Sequence, residues 1–454
     1  MKELDLTQGS VPKVLLQFAV PFLIANVLQA LYGGADLFVV GQYDDSAGVA
    51  AVAIGSQVMQ TITGIVLGIT TGTTVLIAIA TGAKDNRKVA FTIGSSVWLF
   101  SITGVVLTLV MVLFHSRIAE LMHTPVEAMV DAKNYILVCS LGILFIVGYN
   151  VVCGILRGLG DSKTPLYFVG LACVINIVLD FMLVGYFHWG ATGAAIATVT
   201  AQGVSFGIAL WFLYRHGFHF DFSRKDIRLN RNLSKKILVL GAPIALQDAL
   251  INVSFLIITV IVNQMGVIAS ASLGVVEKII VFAMLPPMAI SSAVATMTAQ
   301  NYGAGLVKRM NKCLASGIGI ALVFGVSVCV YSQFLPETLT AFFTKDAAVV
   351  AMAADYLRGY SIDCIIVSFV FCINSYFSGQ GNSLFPMIHS LIATFLFRIP
   401  LSYWFSQIDS SSLFIMGFAP PISTVVSLLI CIWYLRYTQR KLYLRGTMMP
   451  AMSN

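Results

Sequence analysis

Charge is what this sequence has least of. Only 10% of its 454 residues are Asp, Glu, Lys or Arg, whereas 58% are hydrophobic. Soluble domains carry about a quarter charged residues, so a water-soluble globular protein is excluded. The net charge of +7 does not indicate nucleic-acid binding, because the basic residues are split among short segments. The eight cysteines (139, 153, 173, 313, 329, 364, 372 and 431) sit singly in apolar runs, with no CxxC and no Cys/His cluster. They read as small buried hydrophobes, which excludes a disulfide or metal framework. Histidine is equally sparse. His115, His123, His188, His216 and His219 fall in loops or at span ends, and His389 stands alone in a span. No metal spacing and no nucleophile–base pair is present, which argues against an enzyme. The segment GLGDSKT lacks the spacing of a phosphate loop and falls at a membrane boundary, so it reads as a tight turn. With no nucleotide-binding domain, ATP-driven pumping is not expected. The N-terminal MKELDLTQGSVPK has no short apolar stretch with a cleavage site, and the first hydrophobic run is a full span.

What is there is a series of long apolar runs. They cover about 13–41, 47–81, 89–114, 129–157, 163–187, 190–215, 234–264, 268–302, 311–334, 348–378, 384–406 and 411–437. About 20 apolar residues cross a bilayer, so these predict an all-α membrane protein with about twelve transmembrane helices. With the N-terminus placed in the cytoplasm, 21 of the 27 Lys and Arg residues fall on that side. By the positive-inside rule, both termini are cytoplasmic. The basic stretch 215–236 divides the spans six and six and reads as a solvated linker. The expected organisation is an amino-terminal lobe (1–214), the linker, a carboxy-terminal lobe (237–438) and a tail (439–454).

Across the linker the chain repeats itself with an offset near 221. GILRGLGDSKTPL (154–166) lines up with SYFSGQGNSLFPM (375–387), TGAKDNRK (81–88) with YGAGLVKR (302–309), and Pro21 with Pro243. Six helices return the chain to its starting side, so the repeats are parallel and the lobes pseudo-symmetric. Such repeats leave a cleft between two bundles, an inverted V suited to alternating access.

Polar residues inside the spans single out candidates. Asn176 and Asp180 lie four apart, on one helix face, in LYFVGLACVINIVLDFMLVGYF (166–187). An ionised Asp near a bilayer centre costs roughly 2.5–3.5 kcal/mol, so such residues face a partner, a cavity or a pathway. Asp36 lies in the first span with Gln29 two turns before it, and Thr198 lies in the sixth, in a small-residue run suited to close helix approach. Brought together, two carboxylates with amide and hydroxyl oxygens suit either of two cations. Desolvation and like-charge repulsion favour a shared, exchangeable proton, and the hard oxygens equally suit Na⁺. Pro21 removes a backbone hydrogen bond mid-span, so the first helix can bend there. The second half does not copy this cluster: an offset of 221 sets Phe397 and Leu401 against Asn176 and Asp180. It offers Asp248, Glu277, Lys278, Asp363 and Arg398 as a possible substrate cleft, with a structural ion pair expected among the last four. Phe255, Met265, Phe282, Met284 and Met288 would supply an adaptable wall.

The chain resembles the multidrug and toxic compound extrusion family over about residues 10–438. The resemblance rests on the two six-span lobes and on ILRGLGDSKTPL, NIVLDFMLVG, WGATGAAIAT and AQNYGAGLVKR (299–309) taken together. It implies a cation-coupled exporter of amphipathic, often cationic, molecules in a bacterial cytoplasmic membrane, acting as a monomer. The family's amino-terminal cation motif maps onto Asp36, Asn176, Asp180 and Thr198, with Gln29 beside it and a bend at Pro21. Asp248 and Asp363 are displaced by about a turn from the acids some relatives carry in the second lobe. The expected coupling ion is H⁺ or Na⁺, with no other cofactor. A flippase of lipid-linked oligosaccharides or lipid II, from the same superfamily, is the alternative; such proteins usually have extra spans and a more cationic cleft, and the twelve spans and paired first-lobe acids argue against it.

Overall fold

Apolar side chains surround almost every helix of this chain, so helix faces not buried against other helices must be covered by lipid. The computed structural model describes residues 4–408 and 412–447; the part of the expected tail beyond 447 lies outside the described residues. The helices are α1 Val11–Tyr43, α2 Ser46–Gly82, α3 Asn86–Leu121, α4 Met129–Leu141, α5 Ile143–Leu159, α6 Lys163–Asp180, α7 Gly190–His216, α8 Arg231–Asn263, α9 Val267–Gly303, α10 Val307–Phe334, α11 Pro336–Ala341, α12 Ala347–Gly379, α13 Leu384–Ile392, α14 Ile399–Ile408 and α15 Ala419–Thr447. Among the described residues there is no strand. Among the described residues eleven helices are long and apolar enough to cross a membrane, and the bent pair Val126–Leu141 and Ile143–Leu159, counted as one span, makes a twelfth. This is the all-α membrane architecture the sequence predicts.

The fourth span is broken rather than straight, with a bend of 48°. Gly142 sits at the break, where α7 comes so close that a Cβ would lie 2.6 Å from Val199. Two other spans contain a π-helical stretch, Phe181–Tyr186 after α6 and Ala393–Arg398 after α13. Helix starts are set by acids: Asp45 accepts from Gly48 N at the head of α2 and Asp85 from Lys88 N at the head of α3. GLGDSKT is a tight turn, as read. Gly160 is left-handed (φ 99°), and Asp161 accepts from the backbone N–H of Lys163 and Thr164.

The chain divides into two compact units. The first comprises residues 1–249, 296–310 and 379–381; the second comprises 250–295, 311–378 and 382–454. In the first, Gly68 and Gly72 of α2 meet Gly241 and Ala245 of α8 backbone to backbone. A Cβ on Gly241 would lie 2.5 Å from Ile69 Cα. Small residues four apart on both helices permit this approach, which is how helices associate where no water drives them together. The signature stretches also converge in this unit. Gln300 donates to Gly158 O (3.1 Å), and Asn301 donates to Leu6 O (3.1 Å). Arg309 donates to Gly9 O (2.7 Å) and to Gln8 O, while Leu4 N donates to Gly160 O. The residues before α1 are thus clamped by two motifs distant in sequence. In the second unit, Ile258, Val276, Met284, Tyr356, Tyr360 and Cys364 form part of one core. All eight cysteines are buried, and none forms a disulfide among the described residues.

The segment read as a solvated linker is not wholly solvated. Phe218, Phe220 and Phe222 pack against the first unit's core, and Trp98 donates its indole N–H to Ile227 O (3.2 Å). Three phenylalanines set among its charges give the segment this attachment.

Candidate functional site

Three helices of the first unit deliver the polar residues singled out in the sequence to one point. Asp36 comes from α1, Asn176 and Asp180 from α6, and Thr198 from α7. Thr198 Oγ1 donates to Asp36 Oδ2 at 3.0 Å, and Asn176 Nδ2 donates to Thr198 Oγ1 at 3.3 Å. The carboxyls of Asp36 and Asp180 lie within hydrogen-bonding reach of each other. Asp36, Asn176 and Asp180 are all buried, at 3%, 1% and 0% exposure. Local sequence explains the meeting: Gly193, Ala194, Ala195 and Ala197 let α7 close on its neighbours.

The cluster is rich in acceptors and short of donors. Asp36 Oδ1, Asn176 Oδ1 and both oxygens of Asp180 are buried with no hydrogen-bond partner among the described residues. An unsatisfied buried polar atom costs about 1–3 kcal/mol, and more when charged, so each such atom needs a physical reason. The donor set is carboxylate, amide and hydroxyl oxygen, the chemistry of protons and hard cations rather than of soft metals. Among the described residues no group of three His, Cys, Asp or Glu is placed to hold a metal ion. The helix also changes form at this point. Asp180 is the last α-helical residue of α6, and a π-helical turn follows. Such turns are frequent at functional sites.

Gln29 is not in the carboxylate cluster itself. It lies within hydrogen-bonding reach of Tyr32, whose hydroxyl accepts from Gln202 Nε2 at 3.2 Å. Tyr32 and Gln202, unforeseen in the sequence, thus tie α1 to α7 one turn before Asp36. Pro21 is buried within α1, which runs uninterrupted through it.

The second unit's candidates are arranged differently from the expectation. No salt bridge joins Glu277, Lys278, Asp363 and Arg398 among the described residues; the ion pairs lie elsewhere, at Glu120 with Arg117 and Lys133 and at Arg358 with Glu337 and Asp355. The expected structural ion pair is therefore corrected. The Thr259 and Thr424 hydroxyls nearby donate to the backbone oxygens of Phe255 and Pro420, while the Arg398 guanidinium stacks 4.4 Å from the Phe255 ring centroid. Arg398 Nε and Asp363 Oδ1 remain without a hydrogen-bond partner there. Asp248 belongs to the first unit. Met284 is buried in the second unit's core, whereas Phe282 and Met288 are each 48% exposed. His389, read as isolated, has company. Its Nδ1 meets Ser427 Oγ at 2.8 Å, its Nε2 meets Asn374 Oδ1 at 2.7 Å, and Cys431 lies against it. Both ring nitrogens are engaged, which is a structural role.

The MatE family pattern matches residues 21–182 and 243–404. The chain belongs to this family of multidrug and toxic compound extrusion transporters. Among its relatives, "Probable multidrug resistance protein YpnP" of Bacillus subtilis is 29% identical over 407 residues, covering 89% of this chain and 91% of that protein. "Probable multidrug resistance protein NorM" of Thermotoga maritima is 28% identical, over 86% of this chain and 85% of that one. A solved outward-facing multidrug resistance MATE family transporter superimposes with a TM-score of 0.91 at 23% identity, over 97% of this chain and 99% of that one.

The two matched segments begin and end 222 apart, close to the offset of 221 between Gly160 and Gly381.

Proposed function

We propose that this MatE chain is a secondary antiporter that exports amphipathic, often cationic, organic molecules in exchange for H⁺ or Na⁺. The observation that carries the reading is the set of buried oxygens without donors on Asp36, Asn176 and Asp180. A proton between the two carboxyls, or Na⁺ among the oxygens, supplies the positive charge they lack. Asn176 and Thr198 hold the acceptors in place, and Tyr32, Gln29 and Gln202 fix the adjacent turn of α1. The multidrug resistance names of the relatives support the substrate class.

Antiport requires that cation and drug not be retained together. Asp36 rides on the same helix as Pro21, which has no N–H to offer the carbonyl of Gln17. A bend there moves Asp36 relative to α6 and α7, so cation occupancy and helix shape are linked, and the linked change opens the transporter to one side at a time. The Lys and Arg distribution supports cytoplasmic termini in a bacterial cytoplasmic membrane. The working unit is a monomer.

The test is transport by purified protein in liposomes under an imposed pH gradient, then an imposed Na⁺ gradient, with a fluorescent cationic dye as cargo. One of the two gradients should drive dye uphill. Dye movement indifferent to both gradients would refute antiport.

A further inference from the structure

A second feature of the first unit lies apart from the cation cluster. α3, α5, α7 and the linker enclose a cavity of about 550 Å³. Its walls are almost entirely apolar, including Val97, Phe100, Val151, Phe206, Leu213 and Phe222. None of the acids discussed above faces it, so it offers nothing to a cationic head.

Its rim is basic and aromatic. Ile227 lines the cavity, and its neighbour Arg228 places its guanidinium 5.1 Å from the Phe91 ring centroid. Arg87 places a second guanidinium 5.6 Å from the same centroid. Two like charges thus share one ring, and neither is ion-paired among the described residues. Two nearby acids are engaged locally: Asp226 accepts from Ser223 N and Oγ, and Asp85 caps α3 at Lys88 N. The linker is held close because Gly94 has no side chain, where a Cβ would lie 1.9 Å from Asp226 O. Trp98, Trp211 and Tyr214 are exposed at this end, the residue types that settle at headgroup level.

We propose that this cavity seats one acyl chain of an anionic phospholipid, with its phosphate held by Arg87 and Arg228. An oxyanion between the two guanidiniums relieves their repulsion, and the apolar walls take the chain. The Lys and Arg distribution assigns the lipid to the cytoplasmic leaflet. The linker then joins the lobes through a segment fastened by lipid, so leaflet composition reaches the transporter at that joint.

The experiment uses the full chain with Trp98 as its single tryptophan, the other four replaced by Phe, in phosphatidylcholine nanodiscs. Brominated-acyl phosphatidylglycerol is compared with brominated-acyl phosphatidylcholine as quencher. Each basic residue near an anionic surface contributes about 1 kcal/mol, so phosphatidylglycerol should half-quench at a mole fraction at least about five-fold lower. Arg87→Gln with Arg228→Gln should erase that preference. Val97→Phe, which fills the cavity and keeps both charges, should reduce maximal quenching. Size-exclusion profiles identify any variant that fails to fold; Val97→Ile is then the milder filling variant, and each arginine is tested singly. Equal quenching by the two lipids, or a preference that survives loss of both arginines, overturns the proposal. Displacement of the lipid by a cationic dye also overturns it, by giving the cavity to cargo.

Discussion

Replacing Asp180 by Asn tests the coupling argument most directly, because it keeps the shape of the side chain and removes its charge. In the structure no donor reaches either Asp180 oxygen among the described residues, so the substitution breaks no hydrogen bond to a protein donor. Removing a desolvated carboxylate should leave thermal stability equal or higher, since each unsatisfied oxygen costs about 1–3 kcal/mol. Transport is another matter. One proton moving through 100 mV releases about 2.3 kcal/mol, and a pH unit adds about 1.4 kcal/mol. Together they sustain a gradient of roughly 500-fold for an uncharged cargo, at 1.4 kcal/mol per decade, and of about ten-fold for a monovalent cationic dye, whose own charge moves against the potential. Without the carboxyl pair to take up the cation, that gradient should collapse toward one, while dye exchange between equal pools persists. The assay is dye accumulation in proteoliposomes carrying an imposed gradient, with counterflow as the control for intact binding. An Asp180→Asn protein that still builds the full gradient, alongside an Asp36→Asn protein that does the same, would refute the reasoning.

Three further outcomes are expected. Gly241→Val should lower the melting temperature, because its Cβ would fall 2.5 Å from Ile69 Cα; overpacking costs about 1–3 kcal/mol, and calorimetry in detergent reads it. Arg309→Ala should release residues 4–9 from the carbonyl contacts that hold them, so their amides exchange faster in deuterium-exchange mass spectrometry, with little change around Asp36. Arg398→Asn should alter which dyes are exported but not the number of cations moved per dye, read as a flux ratio; a changed ratio would assign the second lobe a part in coupling.

Much of this molecule was legible before any coordinates. Twelve apolar runs were enough to read the architecture, because a bilayer imposes length and excludes charge. Asp36, Asn176, Asp180 and Thr198 stood out for the same reason: polar groups are costly in those runs, and the structure brings them into contact. Tyr32 and Gln202 did not stand out, since a tyrosine and a glutamine beside small residues look like ordinary packing until a hydrogen bond joins them. His389 looked solitary because its partners Asn374 and Ser427 come from other helices. The linker's phenylalanines were masked by the surrounding charge. A π turn leaves no mark in hydrophobic periodicity, so the stretches Phe181–Tyr186 and Ala393–Arg398 were not legible in the sequence.

A difference between the two halves bears on how a duplicated architecture divides its labour. A guanidinium stays charged at any pH a protein survives. The first unit gathers an amide, a hydroxyl and two acids with oxygens left over, whereas the second sets the Arg398 guanidinium over the Phe255 ring. Twofold resemblance in sequence therefore coexists with unlike chemistry: a surplus of acceptors in one copy, a fixed positive charge in the other.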